Sequence, residues 1–259
     1  MELTVLGSGT STPHPYRSSS GFWLQTTAGT ILLDCSASSI HRMAQENLDW
    51  PNLDAIWISH FHLDHCGGLA PFLFGTKHAP ITQNRTKPLR IVGGKGLADL
   101  LTKFSNANEY DLLKQPFPVE ILEIEALETI EIVGNVEAVA YSTRHTPESL
   151  ALHLRDKDET IVYTADTGFD EMLATFARRV DLLLIECSFV RNKPVEKHLE
   201  LAEAVHLIRR AEPKRAVLTH LYPEWDEVDF TEEVTKLKPG VEVIQAFDGL
   251  KITCEKSKK

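Results

Sequence analysis

Apolar residues in this chain gather in short runs closed off by polar or glycine-containing turns. In the first half these runs are Leu3–Leu6, Phe22–Thr26, Thr30–Asp34, Ala55–Ser59 and Leu89–Val92. The second half adds Val119–Ile124, Thr129–Val133, Val136–Ser142, Leu150–Leu154, Thr160–Ala165, Leu182–Glu186, Ala216–Thr219 and Val241–Ala246. Runs of this length and composition predict strands. Two stretches carry a helical period instead. Leu201, Ala204, Val205 and Ile208 fall at i, i+3, i+4 and i+7, an amphipathic stripe, and Leu173, Phe176 and Ala177 form a shorter one. Strands interleaved with helices, and hairpin-like runs in the middle of the chain, predict a mixed α/β architecture.

The polar residues that end these runs are not ordinary turn formers. Directly after Ala55-Ile56-Trp57-Ile58-Ser59 comes His60-Phe61-His62-Leu63-Asp64-His65, with four metal-competent side chains in one short stretch. Imidazole and carboxylate together suit Zn(II), Mn(II) or Fe(II). His60 and His62 alternate, so an extended turn sends both to one side, whereas the adjacent Asp64 and His65 must diverge. That geometry serves two neighbouring ions, the arrangement used in two-metal hydrolysis. His145 follows Val139-Ala140-Tyr141-Ser142, Asp166 follows Ile161–Ala165, and His220 follows Ala216–Thr219. Each lies just past a strand, where α/β folds place active-site loops. His14, His41, His78, His153 and His206 have no such partners and read as surface or core residues.

Composition narrows the picture. The 259 residues contain no linker, low-complexity tract or long charge run, so a single domain over 1–259 is expected. With 27 basic against 37 acidic residues the net charge is −10, which argues against tight binding of long nucleic acid. Cys35, Cys66, Cys187 and Cys254 lack C-x-x-C spacing and read as reduced thiols of a cytoplasmic protein, Cys66 being a packed thiol beside the histidine cluster. No stretch approaches a membrane span, and the N-terminus shows no signal-peptide pattern. Gly93-Gly94-Lys95-Gly96 lacks P-loop spacing and reads as a strand-to-helix turn, and Gly7-Ser8-Gly9-Thr10 as another turn.

The ordered set His-x-His-x-Asp-His, His, Asp and His resembles the metallo-β-lactamase superfamily over nearly the whole chain, and Asp34 fits that superfamily's early aspartate. The resemblance implies an αββα sandwich of two mixed β-sheets flanked by helices. It also implies a ligand set: His60, His62 and His145 on one ion, Asp64, His65 and His220 on the other, and Asp166 bridging them. The nucleophile would be a metal-bridging hydroxide, with zinc first among the two divalent ions and manganese or iron as alternatives. Asp64 would serve as general base. Asp34 would fix a ligand histidine's tautomer, or cap the helix that begins near Ser36.

Asp166 is followed by Thr167-Gly168 rather than by the cysteine ligand common in true β-lactamases. Leu6-Gly7-Ser8-Gly9-Thr10, His65-Cys66-Gly67-Gly68-Leu69 and Leu218-Thr219-His220 look most like the ribonuclease Z group. In that group a Glu precedes a functional His at a helix start, and Glu186 and His198 match those positions; His198 would protonate the leaving alkoxide or contact the phosphate, with Glu186 raising its pKa. The short interval between His145 and Asp166 is filled by two strand runs, which leaves no room for the arm with which long ribonuclease Z enzymes grip tRNA. The cysteine cluster typical of the related cyclic phosphodiesterase of phosphonate metabolism is also missing.

The expectation is therefore a dinuclear phosphodiesterase acting on a small phosphodiester or nucleotide-like substrate, away from membranes, with a homodimer compatible. The alternatives are tRNA 3′ processing, or hydrolysis of a carboxylic ester, lactone or thioester. Lys95, Arg144 and Arg191 are candidates for a local basic patch.

Overall fold

The strand runs of the first half fold into β1 (Glu2–Gly7), β2 (Gly21–Gln25), β3 (Thr30–Leu33), β4 (Ala55–Ile58), β5 (Leu89–Gly93) and β6 (Val119–Glu123). Those of the second half become β7 (Thr129–Val133), β8 (Val136–Ser142), β9 (Leu150–Asp156), β10 (Glu159–Tyr163), β11 (Leu182–Glu186), β12 (Arg215–Thr219) and β13 (Glu242–Gln245). A short β14 (Lys251–Thr253) adds to the edge of β1. Its single apolar residue, Ile252, gives no period that a sequence reading can detect. These positions come from a computed structural model that describes residues 1–254, so the last five residues of the expected 1–259 span lie outside the described residues.

Among the described residues the strands form two seven-stranded sheets, ordered β14-β1-β2-β3-β4-β5-β6 and β13-β12-β11-β10-β9-β8-β7. Both sheets are mixed. β1 to β3 and β7 to β10 run antiparallel to their neighbours, whereas β3 to β6 and β10 to β13 are parallel. Parallel strands covered on both faces read as continuous apolar runs. Every residue of β4 and of β11 is accordingly buried.

The alternation of side chains along each strand divides the core into layers. On β4, Ala55 and Trp57 face the space between the sheets, where they join Leu3, Phe22, Leu152, Tyr163, Leu182 and Val217. Ile56 and Ile58 face outward, against α1 (Ala37–Gln45), α3 (Leu69–His78) and α4 (Leu97–Asn106), with the one-turn α2 (Leu63–Cys66) between. On the far side Leu183 and Ile185 of β11 pack against α5 (Glu171–Phe176), α6 (Leu201–Ala211) and α7 (Phe230–Leu237). This is the αββα sandwich. The stripe Leu201, Ala204, Val205 and Ile208 is buried, and α6 opens with a reciprocal capping box between Glu200 and Glu203. Gly93 ends β5 and Gly94 to Gly96 form the turn into α4, as the sequence indicates. Among the described residues, no helix is long and apolar enough to cross a membrane.

Candidate metal centre

Five polar side chains lie just past the carboxyl ends of strands. Asp34 follows β3, His60 follows β4, His145 follows β8, Asp166 follows β10 and His220 follows β12. Three of these exits are backbone outliers: Asp34, Ala165 and His220 have φ of 57°, 53° and 57°. A left-handed non-glycine residue costs on the order of 1–3 kcal/mol. The burial and hydrogen bonds around all three offset that cost. His62 is the N-cap of α2, so Asp64 and His65 enter the first helical turn and point apart. Gly68 lets this helical segment press against the loop after β3, since a Cβ there would lie 2.3 Å from the Ser36 carbonyl oxygen.

The structure brings the sequence-derived ligands into two adjacent groups. Donor atoms of His60, His62, His145 and Asp166 lie within 4.8 Å of one another, as do those of Asp64, His65 and His220. Asp166 Oδ2 joins the groups, at 3.7 Å from the Nε2 atoms of His60 and His145 and 3.3 Å from those of His65 and His220. His62 Nδ1 stands 3.1 Å from His60 Nε2 and 3.0 Å from His145 Nε2. Three ring nitrogens on a tetrahedral zinc at Zn–N of about 2.0–2.1 Å stand roughly 3.3 Å apart. The observed spacing is close to that.

Hydrogen bonds fix which nitrogen of each ring carries the proton. His145 Nδ1 donates to the Lys197 carbonyl (3.1 Å), and His65 Nδ1 donates to Asp34 Oδ2 (2.7 Å). In the neutral ring, Nε2 is then an unprotonated acceptor aimed at the centre. The Nε2 atoms of His65 and His220 are buried without a hydrogen-bond partner among the described residues, although carboxylate oxygens stand near them. Lone pairs of nitrogen and carboxylate oxygen facing each other repel, and a cation between them removes the conflict. The donor set therefore fits divalent ions.

The electrostatics show how strongly the carboxylates of this centre draw positive charge towards it. Burial would raise the Asp166 carboxyl, but His220 and His65 beside it hold it well below the usual carboxylate range. Asp64 is lowered too: burial opposes this, while the neighbouring imidazoles of His220 and His65 prevail. His65 moves up against its own burial because Asp166 and Asp34 flank it. His60 and His145 move down, chiefly through burial. The centre is an anionic pocket lined by imidazoles, some of them strongly disposed to be neutral.

Asp34 is fully buried and accepts from Ser59 N (2.7 Å), Ser59 Oγ (2.8 Å), His65 Nδ1 and Tyr163 OH (2.6 Å). It caps no helix, because Ser36 is the N-cap of α1. Glu186 sits on the other side. It accepts from Thr167 N (2.8 Å), Ser188 Oγ (2.8 Å), Leu199 N (3.1 Å) and His198 Nδ1 (2.9 Å). His198 lies in the turn before α6 rather than at its first residue, and its ring stacks on His220 at 5.2 Å. Burial opposes protonation of His198, yet the hydrogen bond and charge of Glu186 raise its pKa to about 8. One of its ring nitrogens also falls within 4.8 Å of donor atoms of Asp166 and His220.

Cys66 donates to the Phe61 carbonyl and is pushed up to about 12, first by burial and then by Asp34 and Asp64, so it is a packed thiol. Of the three candidate basic residues, Arg191 pairs with Glu233 and Arg144 lies 3.8 Å from Asp170, while Lys95 lines a separate cavity with Glu125 and Glu148. They do not form one patch. The sequence reading missed Ser59, Ser188, Tyr163 and the Lys197 carbonyl. Only Ser59, adjacent to the histidine motif, carried any signal.

Comparison with known proteins agrees with this geometry. The probable metallo-hydrolase YhfI of Bacillus subtilis is 24% identical over 227 residues, covering 85% of this chain and 87% of that protein. Ribonuclease Z of Clostridioides difficile is 26% identical over 286 residues, covering 87% and 90%. The crystal structure of YhfI superposes with a TM-score of 0.80 at 22% identity over 97% of this chain and 98% of its own. A diphosphatase of the PhnP family gives 0.73 at 20% identity, covering 98% of both chains. The fold is that of the metallo-β-lactamases, in the ribonuclease Z-like branch, and the protein is a metal-dependent hydrolase. A family model described as anti-Pycsar protein Apyc1 matches residues 1–238, and with two sheets, seven converging donor residues and this match, the chain belongs to the Apyc1 family.

Proposed function

We propose that the protein is a dinuclear phosphodiesterase that hydrolyses small, nucleotide-like phosphodiesters. The observation that carries this is Asp166, whose Oδ2 lies within 3.3–3.7 Å of four histidine Nε2 atoms from both groups, the position of a shared ligand. His60, His62 and His145 would hold one ion, Asp64, His65 and His220 the other. Zinc fits this set first, with manganese or iron as alternatives. Two such ions would supply a water of lowered pKa and positive charge against the phosphate.

The chain's own groups complete the chemistry. Asp64 faces the same space and accepts a proton from the attacking water. With Nδ1 committed to Glu186, His198 has Nε2 free to protonate the departing alkoxide as the P–O bond breaks. A hydrolase whose leaving group is an unactivated alkoxide needs such an acid. Support for phosphorus chemistry also comes from relatives named as a ribonuclease and a diphosphatase.

Elemental analysis with a chromogenic substrate panel tests the reading. It expects about two divalent ions per chain, lowered occupancy of both sites in Asp166→Ala, and intact occupancy in Cys66→Ala. One ion or none in the fully loaded wild type overturns the dinuclear assignment. Faster turnover of carboxylic esters or lactones than of phosphodiesters overturns the substrate class.

A further inference from the structure

Both buried carboxylates at the centre treat a pair of histidines alike. Asp34 takes His65 directly, and Glu186 takes His198 directly. Each also reaches a second histidine through a serine. Ser59 Oγ lies 2.8 Å from Asp34 Oδ2 and 3.0 Å from His60 Nδ1. Ser188 Oγ lies 2.8 Å from Glu186 Oε2 and 3.0 Å from His220 Nδ1. Both serines are fully buried. The two devices occupy equivalent places, at the carboxyl ends of the parallel pairs β3/β4 and β11/β12.

A hydroxyl has one proton to give. A carboxylate only accepts, and a charge-assisted O–H···O bond is roughly twice as strong as a neutral one. The serine proton therefore goes to the carboxylate, and the serine oxygen must accept from the ring. That places the proton of His60 and of His220 on Nδ1 and leaves Nε2 unprotonated, facing Asp166. The alternative tautomer breaks the bond to the carboxylate and turns an N–H toward the ion position.

We infer that Ser59 and Ser188 are positioning residues, which relay the buried carboxylates of Asp34 and Glu186 to His60 and His220 and so hold both rings in the metal-ligating tautomer. Ser59 serves the group of His60, His62 and His145, and Ser188 serves the group of Asp64, His65 and His220. Glu186 consequently orients His198 and, through Ser188, a ligand of the adjacent ion. This inference rests on the dinuclear reading.

The test uses the full chain loaded with Zn(II) alone, titrated against a chromogenic chelator, with 15N-histidine spectra recorded in parallel. Groups that orient a ligand are worth about 10–100-fold in metal affinity. Ser188→Ala should weaken one zinc of the two by that factor and leave the other, and the His220 signals should change from a single Nδ1–H tautomer to a mixture. Ser59→Ala should do the same for the other zinc and for His60. Two zinc ions bound with unchanged affinity in both variants, or unchanged tautomers, overturn the relay while the dinuclear site stands. Equal weakening of both ions by either variant assigns the loss to packing and also overturns it. Wild type that binds no zinc overturns the dinuclear reading itself.

Discussion

His198 is the residue whose role can be separated most cleanly from metal binding. Its Nδ1 is held by Glu186, its ring stacks on His220, and its pKa is raised to about 8. A proton donor matters in proportion to how poor the leaving group is. Replacing His198 with Ala is expected to lower turnover of an alkyl phosphodiester roughly 10²–10⁴-fold, with much less effect on a nitrophenyl ester. Metal content should stay at the wild-type value. Equal losses on both leaving groups would remove the proton-donor role, and a parallel loss of metal would make His198 a ligand instead. The residues around it show why single positions were unevenly legible. His198 and Glu186 could be placed by their separation along the chain, but the Ser188 hydroxyl between Glu186 and His220 could not, because serine is common and its partner lies on a different strand.

Strands supply the positions from which these residues act, and β9 shows how a strand constrains a side chain. Leu150, Leu152 and Leu154 face the core between the sheets, so His153 must face outward, where its ring lies 5.9 Å from Phe176. Burial there lowers the His153 pKa, and Arg155 adds to the shift. The unfolded chain binds a proton on this histidine near pH 6.5 while the folded chain resists it. The stabilisation from keeping His153 neutral is complete above about pH 6.5 and declines as the pH falls below it. His153→Gln should therefore lose less Tm than wild type between about pH 7.5 and about pH 5.5, as read by thermal unfolding. Identical losses would show that the ring is solvated.

Strand positions were readable because each apolar run has the length of a strand. Helices α3 and α7 were not assigned, and α1 and α4 were indicated only by their starts near Ser36 and after Gly96, since their stripes are short and interrupted. Their stability comes from the sheet they cover, as with Met43 of α1 and Leu69, Phe72 and Leu73 of α3.

At the level of the whole molecule, charge and surface decide what reaches the centre. The chain carries a net charge of −10, and Arg144 and Arg191 lie beside Asp170 and Glu233 rather than forming a basic track. Polynucleotide affinity rests on Lys and Arg contacts that release counterions from phosphates. β9 and β10 occupy the interval between His145 and Asp166, so no arm extends from it. Small phosphodiesters are thus expected to show higher kcat/KM than precursor tRNA at matched salt, and long RNA to bind weakly. Efficient, site-specific removal of a tRNA 3′ trailer would overturn this and support the activity for which the ribonuclease Z relatives are named.

The amino-acid sequence by itself determined which metal-competent residues gather at one centre and the strand ends on which they sit. His60 to His65 are close along the chain, and the apolar run before each ligand marks the strand that delivers it. It also gave the mixed α/β class, because strand and helix periods are local properties. Only the tertiary structure decided how the two halves meet: β3 and β4 of one sheet face β10 to β12 of the other, so that Asp166 lies between ligands drawn from both. It also decided the supporting contacts. Tyr163 reaches Asp34 across 129 positions of chain, Ser188 reaches His220 across 32, and the Lys197 carbonyl reaches His145 across 52. A hydrogen bond depends on atoms being brought within about 3 Å with the right alignment. Neither condition is written in the spacing of residues far apart in sequence, and both follow from the way the sheets pack.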